Sequence, residues 1–307
     1  MTCKSAVLTC GAVSALLGAA AYASAQNLNG TVSASFYGAP LAIQTINTGF
    51  GPNNAADSGT GSELDAAYGR ISGGNLYLFL AGNVQNNGNH LNVFIAGGAA
   101  GQNTLNAPAG SNLASMNGSV FSPGFNATFG FDVNDFSGTQ YGEEDYLTGT
   151  PTGSYVGAIP STSTGIYTGT FPAGVTSLYA NNNHVSTMGA PGTALSGATS
   201  GANTTTGYEL VIPLSAIGYT GGNIMVLADI NGAGSPPNTY LSNQFLPGLP
   251  VGSQNVGGGT TPFSAGGGTF NFGNTPGEYF TIVPEPSSLV LLGLSGLTTL
   301  LAIRRRK

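Results

Sequence analysis

The chain of 307 residues has almost no positive charge outside its two ends. Between residues 26 and 286, Arg70 is the one basic residue against twelve Asp and Glu residues. Such an acidic surface repels phosphate backbones and anionic lipid headgroups, which argues against nucleic-acid binding and against electrostatic docking to membranes. The polar share is mostly Gly, Ser, Thr and Asn, and this composition favours short strands and turns over helical bundles.

Cysteine and tryptophan are also missing from the central part of the chain. Both cysteines, Cys3 and Cys10, lie within the first 25 residues. Residues 26–307 therefore cannot form a disulfide and must be stabilised by packing of the sheets. The chain has no Trp, the largest aromatic side chain available for stacking on a sugar ring, and its 13 Tyr residues are the nearest substitute.

Residues 1–25 have the pattern of a secretory signal peptide. Lys4 gives a short positive start, and a run of small apolar residues and Leu follows over 6–21. Ala23 and Ala25 then supply the small-x-small site that signal peptidase cleaves. We predict export across the inner membrane and a mature chain that begins at Gln26.

The other end of the chain has three elements in a fixed order. The first is the sequence Pro284-Glu285-Pro286, and the second is an apolar segment of 15 residues, Leu289–Ile303. The third is a basic stop, which consists of Arg304, Arg305, Arg306 and Lys307. As a helix the apolar segment would be about 22 Å long, shorter than a hydrocarbon core of ~30 Å. The basic stop would keep the terminus in the cytoplasm.

This tail resembles the PEP-CTERM sorting signal of Gram-negative bacteria that make exopolysaccharide. The resemblance implies recognition by a membrane exosortase, cleavage near Pro284-Glu285-Pro286, and transfer to the cell surface or release. Contact with the membrane would then be transient and made only through residues 289–303. The alternative is an ordinary tail anchor that stays in place.

Residues 26–283 are predicted to form one all-β domain, a single antiparallel β-sandwich of jelly-roll-like type with long Gly/Asn/Thr-rich loops. Short apolar runs separated by Gly, Asn and Pro give this pattern. Thr31–Tyr37 alternates as a strand, and Leu76–Val84 and His90–Gly97 flank a polar turn as a hairpin. Glu143–Asp145 is expected to be a solvated acidic patch.

The segment Tyr208–Gly218 reads YELVIPLSAIG. It resembles the E-x-x-I-P-x-S-x-x-G signature of DOMON-like and family 9 carbohydrate-binding sandwiches. The resemblance implies a sandwich fold. Because family 9 modules bind sugar with paired Trp, their site cannot be transferred to this chain.

Two short segments place oxygen ligands near predicted turns and are candidates for calcium. The residues are Asp132, Asp135, Asp229 and Asn231. Neither segment completes the D-x-[DN]-x-[DN]-G loop with its distal Glu. At most one structural Ca²⁺ is expected, and no other cofactor. Haem is not favoured, because His90 and His184 lie at predicted turns.

The sequence does not favour an enzyme. No nucleophile elbow, zinc-protease or phosphate-loop motif is present. A carboxylate pair drawn from Asp132, Asp135, Glu143 and Asp229 is the remaining catalytic option. We therefore predict a non-catalytic structural or adhesive role in the exopolysaccharide layer. The alternatives are a secreted carbohydrate-binding module and, third, a secreted hydrolase.

Overall fold

The computed structural model describes most of the region between the two ends of the chain. The described residues are 26–50, 61–85, 87–98, 100–136, 139–159, 161–163, 166–180, 190–195, 200–232, 241–255, 271–274 and 278–285. The predicted signal peptide with Ala23 and Ala25 lies outside them, as do Pro286, the apolar segment and the basic stop. Gln26–Pro284 forms one compact unit. Within the described ranges, no helix has the length and hydropathy needed to span a membrane.

Besides three 3₁₀ helices, Asn112–Met116, Gly201–Asn203 and Phe272–Asn274, the described elements are one short α-helix and fourteen strands. In chain order they are α1 (Ala34–Tyr37), β1 (Ala42–Ile43), β2 (Glu63–Ser72), β3 (Asn75–Asn83), β4 (Asn87–Ala96), β5 (Phe129–Phe136), β6 (Thr139–Tyr146), β7 (Thr152–Ile159), β8 (Ser161–Ser163), β9 (Ile166–Thr170), β10 (Thr176–Ala180), β11 (Gly207–Pro213), β12 (Ile224–Asn231), β13 (Leu241–Leu246) and β14 (Phe280–Ile282).

These strands form two antiparallel sheets. The first sheet has the order β1-β2-β3-β11-β10-β9-β8, and the second has the order β13-β12-β4-β5-β6-β7. β14 pairs with the first half of β12, whereas β13 pairs with its second half. The predicted all-β sandwich is confirmed.

The inner faces of the two sheets enclose the main core. Leu78 and Leu80 of β3 belong to the same buried cluster as Val93 and Ile95 of β4 and Phe131 of β5. A second buried cluster lies on the outer face of the second sheet. Phe94 and Leu227 of that sheet pack there against the segment 105–127, which supplies Leu113, Met116, Phe121 and Phe125.

The predicted hairpin of Leu76–Val84 and His90–Gly97 is wrong. β3 lies in the first sheet between β2 and β11, whereas β4 lies in the second sheet between β12 and β5. The chain crosses from one sheet to the other between these strands. Both strands are apolar because each faces the core from its own side, and this pattern does not distinguish a crossover from a hairpin.

The predicted strand Thr31–Tyr37 is also wrong, because Ala34–Tyr37 forms the helix α1. This helix packs on the outer face of the first sheet, where Tyr37 is buried with Tyr68, Tyr77 and Phe79. Arg70 donates from Nη1 to the carbonyl oxygen of Phe36 at 2.8 Å. Its Cζ atom lies 4.9 Å from the centre of the Phe36 ring. Tertiary contacts thus override a weak alternation.

Candidate functional site

The outer face of the second sheet carries polar side chains in register across five strands. Asp229 of β12 pairs with Asn92 of β4, which pairs with Asp132 of β5. Asp132 pairs with Glu143 of β6, which pairs with Tyr155 of β7. We call these five residues the polar row. Successive residues of a strand point to opposite faces of the sheet. The polar row therefore lies on the face opposite to the core residues that precede and follow its members in each strand.

A second set of register partners lies beside the polar row. Asn231 pairs with His90, His90 with Asn134, and Asn134 with Tyr141. The outer face therefore combines amide, imidazole, carboxylate and phenol groups over several strands. These groups can form hydrogen bonds, stack on a ligand or carry charge.

A short 3₁₀ helix, Asn112–Met116, covers the middle of the polar row, where it contacts Asn92, Asp132 and Glu143. Ser111 caps it by accepting a hydrogen bond from the backbone N–H of Ala114 at 3.2 Å. Leu113 and Met116 anchor the helix because both are buried in the second apolar cluster. The Asn112 backbone N–H donates to Oε2 of Glu143 at 2.8 Å. The segment is thus tied to the sheet by apolar and polar contacts together.

Asp132 is the centre of the hydrogen bonding in this region. Its Oδ1 accepts from Nδ2 of Asn112 at 2.7 Å, and its Oδ2 lies 2.9 Å from Nδ1 of His90. Burial lowers the pKa of His90, but the charge and hydrogen bond of Asp132 and the charge of Glu143 outweigh it. The pKa of His90 is therefore above its ordinary value, and His90 is held as a donor to Asp132.

Two other carboxylates of this face, those of Asp229 and Glu143, are also buried. Burial raises the pKa of Asp229 to about 7, opposed by the Asn92 hydrogen bond and increased by the charge of Asp132. Asn92 donates to Oδ1 of Asp229 at 2.9 Å, and Oδ2 has no hydrogen-bond partner among the described residues. Burial also raises the pKa of Glu143, against the Asn112 hydrogen bond.

Asp145 lies two residues further along β6 and is fully buried. Burial raises its pKa to about 7, the Ser111 hydroxyl opposes the increase, and the charges of Glu143 and Asp132 add to it. Gly153 of β7 makes room for this carboxylate, because a Cβ at that position would lie 2.3 Å from Oδ1 of Asp145. Any larger residue there would displace the carboxylate.

The prediction that Glu143–Asp145 is a solvated acidic patch is therefore wrong. All three side chains are buried, although not on one face. Glu144 points the other way and accepts from the Tyr146 hydroxyl at 2.9 Å and from the Ala173 backbone N–H at 2.8 Å. Three acids in sequence are usually solvated, but here the segment at Ser111 and Asn112 covers Glu143 and Asp145, and Ala173 lies against Glu144.

The open end of this face carries aromatic side chains. The rings of Tyr141 and Tyr155 are nearly parallel, at 12°, with their centres 6.5 Å apart. Tyr155 is 61% exposed, and Phe136 of β5, an alternate residue on the same face, is 53% exposed. We call Tyr141 and Tyr155 the tyrosine ledge. It presents uncharged ring surface beside Glu143, exposed at Tyr155 and half-buried at Tyr141.

The structure separates the predicted calcium ligands. Asp132 and Asp229 are two strands apart, with Asn92 between them. Asn231 uses Oδ1 to accept from the Gly232 backbone N–H at 2.9 Å, and the side chain of Asp135 lies outside what is described. Among the described residues, no three His, Cys, Asp or Glu side chains form a group able to hold a metal. A structural Ca²⁺ stays a prediction.

Of the acids considered for catalysis, the structure places Asp132 and Glu143 side by side, with Asp229 further away. Of the two histidines considered for haem, His90 is bound to Asp132, and His184 lies outside the described residues. Beside them, Asn92 donates to the sulfur of Met116 at 3.3 Å.

Four residues of this face were not predicted from the sequence: Asn92, Asn112, Asp145 and Tyr155. Asn92 alternates with Leu91 and Val93 within His90–Gly97. The strands β6 and β7 give no comparable signal, because β6 has three consecutive acids and Gly, Ser and Thr occupy half of β7. Asn112 contacts Asp132 and Glu143, which lie 20 and 31 positions further along the chain.

Comparison with known families matches the tail of the chain. Residues 283–307 match the model of the PEP-CTERM protein-sorting motif. This confirms the resemblance of the tail and indicates an exported surface protein of a Gram-negative bacterium that an exosortase processes. Comparison with curated proteins and with solved structures found no significant match. The likeness of Tyr208–Gly218 to DOMON-like or family 9 sandwiches therefore stays a prediction.

Proposed function

We propose that this exported surface protein has a non-catalytic, adhesive role in the exopolysaccharide layer, and that it holds polysaccharide on the outer face of its second sheet. The observation that carries the proposal is the combination on that face of buried, hydrogen-bonded polar groups with the exposed tyrosine ledge. The exposed rings suit a hydrated polymer, whose sugar rings offer faces for stacking, and the buried polar groups hold in place the strands that carry these rings.

The state of the carboxylates supports a non-catalytic role. A paired-carboxylate hydrolase needs one acid and one base that both reach the substrate. Asp132 and Glu143 are 1% and 5% exposed, and each accepts a hydrogen bond from Asn112. These contacts favour a positioning role, in which the acids fix the covering helix and support the sheet beneath the aromatic residues.

The charge of the protein supports an uncharged partner. The region 26–286 has twelve acids and Arg70 alone as a base, and Arg70 is engaged with Phe36 on the opposite sheet. Polymers rich in uronate or phosphate would be repelled by this balance. A neutral polysaccharide would be held by many weak contacts spread over the sheet.

The proposal is tested by co-sedimentation of the mature protein with exopolysaccharide purified from its own host. We expect the protein to pellet with the polymer and to release no reducing ends on prolonged incubation. A protein that stays in the supernatant at every polymer concentration would exclude the adhesive role. Release of reducing ends that is lost in both Asp132→Asn and Glu143→Gln variants would instead support the hydrolase alternative.

A further inference from the structure

We infer that the tyrosine ledge, Tyr141 with Tyr155, is the contact site for an uncharged pyranose ring of the bound polysaccharide. The inference rests on the proposed function and names its site and the class of its ligand. Neither ring belongs to the buried core, and Tyr155 is the more exposed of the two.

The exposure of the ledge distinguishes it from the buried ring pairs of this protein. The rings of Tyr141 and Tyr155 lie at 12° with their centres 6.5 Å apart. Nearly parallel rings also occur in the buried core, for example Tyr179 and Tyr208 at 8°. Tyr155 differs from these buried rings because it is 61% exposed, so its ring face is accessible for stacking on a ligand.

The neighbours of the ledge determine which polymer it accepts. Tyr155 lies opposite Glu143 in the strand register, and Tyr141 lies opposite Asn134. Asp132 lies opposite Glu143 in the strand register, and Asp145 lies two residues after Glu143 in β6, so the nearest charges are negative. A carboxylate or sulfate on the sugar would meet this negative potential, whereas hydroxyl and acetamido groups would not.

The position of the ledge at the sheet edge allows a long polymer to pass. β7 is the last strand of the second sheet in the described topology, and the exposed ring of Phe136 lies on the same face two strands inward. A polymer that stacks on Tyr155 would run along this edge strand, because the segment 105–127 covers the face further inward. Binding along an open surface suits adhesion to a polymer that is much longer than the site.

The experiment uses the mature protein with three purified probes of known charge. The probes are a neutral N-acetylglucosamine hexasaccharide, the host exopolysaccharide, and polygalacturonate as the anionic polymer. Affinity is measured for the wild type, Tyr155→Ala and Tyr141→Ala. Val251→Ala is the control, because Val251 is 62% exposed but follows β13 at the opposite edge of the second sheet. Thermal unfolding of each variant verifies that its fold is retained.

We expect Tyr155→Ala to weaken binding of the neutral probes about tenfold or more, corresponding to loss of one stacking contact, with Val251→Ala unchanged. Tyr155→Trp should bind more tightly than the wild type. Because the chain has no other Trp, the emission of this residue reports directly on ligand contact. A shift of the Trp emission on adding the neutral hexasaccharide supports the ledge.

Two results separate failure of the ledge from failure of the proposed function. If the wild type binds host polysaccharide and Tyr155→Ala and Tyr141→Ala bind equally well, the ledge is wrong and the adhesive role stands. If the wild type binds none of the probes, the adhesive role is overturned together with the ledge. Equal affinity for polygalacturonate and the neutral hexasaccharide would overturn the inference that the ligand is uncharged.

Discussion

Tyr37 and Glu209 form a hydrogen bond of 3.0 Å on the outer face of the first sheet, although 172 positions separate them in the chain. The second carboxylate oxygen of Glu209 accepts from the backbone N–H groups of Asn29 at 2.9 Å and Gly30 at 3.2 Å. Burial raises the pKa of Tyr37, and the charge of Glu209 raises it further. One buried carboxylate thus fixes the first residues of the predicted mature chain.

Replacing Glu209 with Gln should lower the free energy of unfolding by about 1.5–3 kcal/mol, because hydrogen bonds to a buried charged acceptor are lost or weakened. Tyr37→Phe should cost about 1 kcal/mol by removal of one donor. Urea unfolding measures both. Tyr219→Phe is the control, since its hydroxyl bonds to Gly222 at the surface and should change little. A Glu209→Gln protein as stable as the wild type would refute the anchoring role.

Stability should fall as the pH rises from about 4 to 8. The pKa values of Asp145 and Asp229 are raised from 3.8 in the unfolded chain to about 7 in the folded protein. The folded state therefore binds more protons in this interval, so this contribution to stability is fully present below pH 4 and is lost as the pH passes through 7. His90, with its raised pKa, acts in the same direction.

The midpoint of thermal unfolding, measured from pH 4.5 to 8.0, tests this expectation. Asp229→Asn keeps the size of the side chain and its contact with Asn92 but cannot titrate, so its midpoint should depend less on pH. Tyr219→Phe, whose hydroxyl bonds to Gly222 at the surface, is the control and should keep the wild-type dependence on pH. A wild-type midpoint that rises with pH over this range would contradict the assignment.

Removing the side chain of Asn112 should destabilise the covering helix. Asn112→Ala leaves Oδ1 of the buried Asp132 without its donor at 2.7 Å, which should cost about 1–3 kcal/mol. The exposed Asn106 in the same segment gives the control, Asn106→Ala, with an expected effect below about 0.5 kcal/mol. Limited proteolysis should cut the segment 105–127 faster in Asn112→Ala. Equal rates in the two variants would exclude a role for this hydrogen bond.

Removal of divalent cations should leave the fold unchanged. Asp132 is already bound by His90 and Asn112, and Asn92 separates it from Asp229. Dialysis against EDTA, followed by thermal unfolding with and without 1 mM CaCl₂ (about physiological extracellular strength), gives the measurement. A midpoint that rises with Ca²⁺ in the wild type but not in Asp132→Asn would establish the calcium site that the sequence predicted.

Intact mass of the protein from the host envelope and medium tests the processing of both ends. We expect a chain from Gln26 to a terminus near Pro284–Pro286, with or without an added group. A mass that extends to Lys307 would show that residues 289–303 remain as a lasting anchor, and it would refute sorting by cleavage.

The sequence predicted the class of the fold because its strongest strands are apolar and short. The strands β10, β11 and β12 contain the short apolar runs SLYA, YELVIP and IMVLADI. It failed where pairing depends on partners far along the chain. Nothing in Leu76–Val84 or His90–Gly97 indicates that these strands face each other across a core rather than pair edge to edge.

The candidate site was less predictable for a related reason. Asp132 and Asp229 were predicted to lie near turns, but the structure places them in the middle of the sheet beneath a covering helix. Tyr155 had no distinguishing context in the sequence, since exposure and register decide its role. The partner of Glu209 was equally hidden, because Tyr37 lies in a segment that alternates like a strand.

The position of β14 has a mechanical consequence. Its last residue, Ile282, pairs with Ile224, and the matched sorting motif begins at Val283. A force on the processed carboxyl terminus would therefore act directly on the folded domain, through the three residue pairs that join β14 to β12. Because β12 also pairs with β4 and β13, the tension would spread over the same sheet that presents the tyrosine ledge.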